Sequence, residues 1–313
     1  MTRAFTFPGQ GSQAVGMGKE LAEAFPAARE VFEEVNEALG QNLSKLMWEG
    51  PGEELTLTEN AQPALMAVSM AAMRVLEKEG GFALADKAAY VAGHSLGEYS
   101  ALAAAGTFTL ADTARLLKTR GQAMQKAVPV GEGAMAAVLG LDFEEAKAVA
   151  EAAAEGDVCQ AANDNAPGQV VLSGSKAAVD RAILLAKEKG AKRAMALDVS
   201  APFHCALMQP AADAMAEALG NVTMRAPVVP LVANVTASAV EDPEEIRKLL
   251  VAQVTGMVRW RESVAYLAGK NVGQLVEVGS GKVLSGLAKR IAKEVETANV
   301  GTPADVEAFL KGL

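Results

Sequence analysis

The stretch from Ala88 to Gly106 constrains this chain more than any other. A short apolar run, Ala88-Ala89-Tyr90-Val91-Ala92, leads into Gly93-His94-Ser95-Leu96-Gly97. A helix-forming run, Glu98 to Ala105, follows, and Gly106 can close it. A strand that turns at once into a helix through Gly-x-Ser-x-Gly is the setting of a nucleophile elbow. The turn is so tight that only glycine leaves room on either side of the serine. It lifts the Ser95 hydroxyl clear of the backbone, above the free N–H groups and positive dipole end of the helix. The pattern alone arises by chance in roughly one chain in ten of this length and glycine content. A plain β–α turn with a capping serine would look much the same locally.

A serine nucleophile needs a base within hydrogen-bond reach. The chain has two histidines, His94 and His204. His94 is the immediate neighbour of Ser95 on the elbow, where successive side chains diverge, so His204 is the expected base. In the serine–acid–histidine order a third member would fall between the two. Asp198 is the nearest acid upstream of His204, and nothing singles it out.

The net charge of −9 argues against nucleic acid as a partner, and no polybasic segment invites a membrane surface. The most apolar run, Ala61 to Met73, is interrupted by Gln62, Pro63 and Ser69 and ended by Arg74, which suits a core helix rather than a bilayer span. The N-terminus runs straight into a strand pattern without a signal-peptide core. Two cysteines, Cys159 and Cys205, exclude a small disulfide scaffold and suit a reducing compartment. The cytoplasm is the expected location and a monomer the expected state. Cys205 beside His204 reads as a small buried hydrophobe.

Along the chain, Ala4–Phe7 reads as a buried strand followed by a glycine loop, Pro8-Gly9-Gln10-Gly11-Ser12-Gln13, which has neither P-loop lysine nor dinucleotide spacing. Helices are expected over Lys19–Phe25, Pro26–Leu39 and Asn60–Lys78. Thr109 should cap a helix running through Arg120, with Arg115, Lys118 and Arg120 off its apolar stripe, where charges are ordinarily solvated. From Gly133 the texture changes. Strand 134–141, helix 143–154, strand 158–163, turn 164–168, strand 169–173, helix 176–189 and strand 193–199 give a ferredoxin-like βαββαβ order. The α/β alternation then resumes, with a helix over 208–219, a strand over 230–234 and a helix capped at Asp242. A second glycine loop follows, Glu277-Val278-Gly279-Ser280-Gly281-Lys282, and a last helix opens at Thr302-Pro303. The expected fold is therefore α/β: a larger α/β-hydrolase-like domain with a parallel sheet (residues 1–130 and 200–313) and a smaller ferredoxin-like insert (131–199). Ser95 precedes the insert and His204 follows it, so the reacting groups should meet where the domains meet.

These motifs together carry a resemblance. Phe7-Pro8-Gly9-Gln10-Gly11-Ser12-Gln13, Gly93-His94-Ser95-Leu96-Gly97-Glu98, Arg120-Gly121, Asn163 with Asn165-Ala166-Pro167-Gly168-Gln169, Ser200-Ala201-Pro202-Phe203-His204 and Glu277 to Leu284 fall in order and register over nearly the whole chain. The set resembles the malonyl-CoA:acyl carrier protein transacylases of bacterial type II fatty acid synthesis. The resemblance implies a transfer of malonyl from malonyl-CoA to the phosphopantetheine thiol of an acyl carrier protein, through a malonyl ester on Ser95, with no permanently bound cofactor and no metal. His204 would be general base and then acid, oriented by the main-chain carbonyl of Gln253 instead of an acid. Gln10 and Leu96 would give backbone N–H groups to the oxyanion hole. Arg120 would clamp the malonyl carboxylate, which matches the planar fork that arginine offers. Phe203 would exclude the extra methyl of methylmalonyl groups. Ser280, where many members have proline, and Thr255-Gly256 depart from the commoner pattern at backbone positions. An esterase or thioesterase, which passes the acyl group to water, and a non-catalytic acyl- or nucleotide-binding module remain the rival readings of the residues themselves.

Overall fold

The computed structural model describes all residues, Met1–Leu313. Its strands are β1 (Arg3–Phe7), β2 (Tyr90–Gly93), β3 (Gly133–Leu139), β4 (Cys159–Ala166), β5 (Gln169–Ser175), β6 (Arg193–Ala196), β7 (Leu231–Val232), β8 (Ala239–Val240), β9 (Gln274–Val278) and β10 (Glu296–Val300). Six of them form one sheet in the order β10-β9-β1-β2-β7-β8. All neighbours in it are parallel except the β7–β8 edge pair. Period-two alternation decides what each face buries. Phe5 and Phe7 enter the main core with the long helix Thr58–Gly80, whereas Ala4 lies in a second cluster with Trp260, Leu275 and Leu284. No helix is long and apolar enough to cross a membrane.

The register of β1 against β2 builds the site. Phe7 lies opposite Gly93, so the first glycine loop and the elbow leave the sheet side by side. The Phe7 carbonyl accepts from His94 N–H at 3.1 Å. A Cβ on Gly9 would lie 2.7 Å from the His94 carbonyl oxygen, so glycine there allows the loop to pack against the elbow.

Residues 133–196 form a separate four-stranded antiparallel sheet, ordered β4-β5-β3-β6. Val170 and Leu172 of β5 and Ala136 and Val138 of β3 pack on the helices Phe143–Ala154 and Lys176–Glu188. The alternate residues Met135 and Val171 turn the other way and join the main core. The small sheet is thus tied to the large one through its second face.

Several boundaries move. The expected turn over 164–168 shrinks to Pro167-Gly168, because β4 continues through Ala166. Asp164, fully buried, has partners that hold it extended: its N–H bonds the Val258 carbonyl at 3.0 Å and its carboxylate pairs Arg261 at 2.8 Å. The strands expected over 193–199 and 230–234 shorten to Arg193–Ala196 and Leu231–Val232, where their pairing with β3 and β2 ends. The helix capped by Thr109, whose side chain accepts from Asp112 N–H, runs on through Ala127.

Candidate active site

Ser95 sits at the head of the helix Gly97–Ala104 with φ of 54°, a left-handed conformation that costs a non-glycine residue about 1–2 kcal/mol. Its flanking glycines are obligatory. A Cβ on Gly93 would lie 1.9 Å from the Gly97 carbonyl oxygen, and one on Gly97 would lie 2.2 Å from that of Phe7. Both obstacles are backbone. Gly97→Ala is therefore expected to push β1 and its loop off the elbow, lowering stability by about 1–3 kcal/mol as read from the denaturation midpoint, and activity with it. Asn234 staples the strained turn: its Oδ1 accepts from Ser95 N–H at 2.8 Å and its Nδ2 donates to the Gly93 carbonyl at 2.7 Å.

His204 approaches from the segment that returns from the small sheet and is itself left-handed, at φ of 56°. Its Nε2 lies 2.7 Å from Ser95 Oγ. Its Nδ1 faces two carbonyls, Gln253 at 2.9 Å and Gly256 at 3.0 Å. Since carbonyls only accept, Nδ1 carries the proton and Nε2 presents its lone pair to the serine. These carbonyls close the C-terminal end of the helix Pro243–Thr255, where the helix leaves carbonyls unpaired and the dipole is negative. Burial, and next the Arg120 charge, push His204 down to about 3, so the ring is held neutral. Asp198 lines the same cavity, but the Nδ1 position is filled by main chain.

Arg120 is 1% exposed, which corrects the solvated placement expected from its helix; Arg115 remains on the surface. Its Nη1 donates to Gln62 Oε1 at 2.8 Å, and its Nη2 donates to Gln253 Oε1 at 2.7 Å and to Ser95 Oγ at 3.1 Å. The guanidinium also lies over the Tyr99 ring, 5.6 Å from its centroid. All three acceptors are neutral, so the fork is fixed in place with its charge uncompensated by direct contact. Burial works against that charge and lowers the Arg120 pKa.

Ser95, His204, Arg120 and Gln62 line one cavity of about 380 Å³, together with Gln10, Leu96, Met124, Met135, Val171, Leu197 and Phe203. Neither Gln10 N–H nor Leu96 N–H donates to another backbone group. A larger cavity of about 740 Å³ lies between the helix Phe143–Ala154 and Arg259, and holds none of the residues just described. His94 turns away from Ser95, as its place on the elbow requires; its Nε2 pairs with Asn165 Oδ1 at 2.8 Å. Cys205 is buried with its thiol directed at the Pro202 carbonyl, and burial raises its pKa.

Sequence reasoning missed Gln62, Asn234, the Gln253 side chain and the Gly256 carbonyl. It also gave Glu98 no role, although Glu98 belongs to the Gly-His-Ser-Leu-Gly-Glu run. Glu98 is 1% exposed. Its Oε2 accepts from Gln253 Nε2 at 2.7 Å and its Oε1 from Asn234 N–H at 3.3 Å. Burial lifts its carboxyl to about 7, against the lowering pull of Gln253, Asn234 and Arg120.

The acyl transferase domain model matches residues 4–303. A malonyl CoA-acyl carrier protein transacylase of Escherichia coli (strain K12) is 48% identical over 308 residues, covering 98% of each chain. The crystal structure of an acyl-carrier-protein-S-malonyltransferase from Bartonella henselae is 59% identical, with a TM-score of 0.98 over 100% of this chain and 99% of that one. A malonyl-transacylase solved in complex with a type II PKS acyl-carrier protein is 44% identical, with a TM-score of 0.96 over 100% of both chains. The chain belongs to the acyl transferase domain family and, within it, to the malonyl CoA-acyl carrier protein transacylases.

Proposed function

We propose that this acyltransferase works by a ping-pong reaction: malonyl passes from coenzyme A to Ser95 as an ester, then to the phosphopantetheine thiol of an acyl carrier protein. The observation that carries the reading is Ser95 Oγ itself, 2.7 Å from a neutral imidazole and 3.1 Å from a buried guanidinium in one cavity. His204 Nε2 takes the hydroxyl proton as Oγ attacks the thioester carbonyl. The tetrahedral oxyanion is received by Gln10 N–H and Leu96 N–H; one such donor is typically worth about 2.7–4 kcal/mol in the transition state. Collapse expels the coenzyme A sulfur, which takes the proton from His204. The carrier thiol then repeats the sequence in reverse: it gives its proton to His204, attacks the ester, and Ser95 recovers its hydrogen.

Carbonyls suit this pocket better than an acid behind the histidine. They fix the ring and its tautomer without adding negative charge where a carboxylate must bind. Arg120 receives that carboxylate, and Phe203 limits the space beside it. Residues 131–199, whose strand order is that of a ferredoxin-like unit, serve as an inserted domain that brings Met135, Val171 and Leu197 over the reacting groups.

Half-reactions separate this mechanism from a direct transfer. Malonyl-CoA mixed with enzyme alone should release one equivalent of free coenzyme A in a burst, and carrier added later should collect the stored malonyl. Release of coenzyme A only after carrier is added would overturn the ester intermediate, and continuous release without carrier would identify a thioesterase.

A further inference from the structure

We propose that Glu98 is the counter-charge of Arg120 in the free enzyme and takes up a proton when a substrate carboxylate replaces it, so that selection for carboxylate-bearing acyl groups is coupled to pH through Glu98. The proposal rests on the reading that Arg120 receives the malonyl carboxylate.

The geometry is a chain of three side chains. Glu98 Oε2 accepts from Gln253 Nε2 at 2.7 Å, and Gln253 Oε1 accepts from Arg120 Nη2 at 2.7 Å. One amide therefore separates the buried carboxyl from the buried guanidinium. Its orientation is dictated at both ends, because the amide nitrogen must face acceptors (Glu98 and, at 2.9 Å, the Ser95 carbonyl) and the oxygen must face the arginine. Asp198 also lines the cavity, but it is exposed to solvent and is not among the hydrogen-bond partners of Arg120, whereas Glu98 is buried. The buried stretch Asn60–Met73 of the helix packed on this one carries no ionisable side chain, and neither does Ala4–Phe7 of β1 nor Leu249–Thr255 around Gln253. The remaining titratable groups enclosed beside Glu98 are Tyr99, held neutral by burial, and the imidazoles of His94 and His204, both pushed down by burial. Arg120 is thus the charge that bears on Glu98.

A substrate carboxylate entering this space would make two negative groups share one positive group in a site shielded from water. One of them must then be neutralised. The malonyl carboxylate gains direct contact with the guanidinium, whereas Glu98 reaches it only through the amide, so Glu98 is the group that takes a proton from solvent. Its midpoint of about 7 places that exchange in the working range. Above it, ionised Glu98 repels the incoming carboxylate; below it, the repulsion is gone. An acyl group without a carboxylate meets no such effect.

The test is the ratio of kcat/KM for malonyl-CoA to that for acetyl-CoA between about pH 6 and pH 9, in the unmodified enzyme, Glu98→Gln and Arg120→Ala. Titrations of Ser95 and His204 act on both substrates and cancel in the ratio. In the unmodified enzyme the ratio should fall by about tenfold as pH rises, a coupling of ordinary size for linked sites. Glu98→Gln should make it independent of pH. A flat ratio in the unmodified enzyme, or an unchanged slope in Glu98→Gln, overturns the role of Glu98 while a collapsed ratio in Arg120→Ala leaves the arginine reading standing. An unaltered ratio in Arg120→Ala overturns the arginine reading instead. Should Glu98→Gln not fold, proton uptake by the unmodified enzyme decides. At pH 7 in weak buffer, loading with malonyl-CoA should draw a fraction of a proton per acylated Ser95 and loading with acetyl-CoA none, since coenzyme A leaves as the thiol in both. Equal traces overturn the proposal.

Discussion

Ser95→Ala is expected to lower kcat for malonyl transfer by about 10⁴- to 10⁶-fold, the loss usual when a nucleophile that acts as a unit with its base is removed. The fold should survive. Alanine meets the same left-handed φ of 54° as serine, the turn is stapled by Asn234 through main-chain atoms, and both glycine contacts are untouched. The variant therefore separates chemistry from binding: malonyl-CoA should still bind, because Arg120 keeps its hydrogen bonds to Gln62 and Gln253. A loss of less than about tenfold in single-turnover transfer would show that some other group accepts the acyl chain.

Arg120→Ala is expected to lower kcat/KM for malonyl-CoA by about 10²- to 10⁴-fold, from two hydrogen bonds to a charged group at roughly 1.5–3 kcal/mol each. Acetyl-CoA cannot use those bonds, so its kcat/KM should change far less and the preference should collapse. Stability should also fall, by about 1–3 kcal/mol, because the buried amide oxygens of Gln62 and Gln253 each lose a donor. Steady-state kinetics with both thioesters, beside a denaturation curve, separate the two effects. Arg120→Lys should recover only part of the preference, since an ammonium is a point donor and cannot match the planar fork.

The parts of the site legible in the sequence are those whose residue type is forced locally. Gly93 and Gly97 announce the elbow because any Cβ there strikes backbone, and the scarcity of histidines leads from Ser95 to His204. The apolar run Val170-Val171-Leu172 likewise marks a strand, although only the fold sends Val171 to one cluster and its two neighbours to another. What long-range partners decide was not legible. Arg120 reads as a surface charge on its own helix, and only the arrival of Gln62, Tyr99 and Gln253 from other elements makes its burial tolerable; the role proposed for it comes from resemblance, not from periodicity. The Gln253 carbonyl came the same way, and Gly256 adds a second carbonyl at one of the positions that departs from the commoner pattern. Asp164 and Asn165 look like a turn until Val258 and Arg261 hold the strand open. Strand β10 is only partly buried, which leaves a weak apolar signal at the sheet edge.

The most direct measurement is the site of the acyl group after malonyl-CoA is mixed with the unmodified enzyme and the reaction is quenched in acid. Peptide mass mapping should find one malonyl group, on the peptide that contains Ser95. A malonyl group on another residue, or enzyme that turns over yet carries none, would contradict the account.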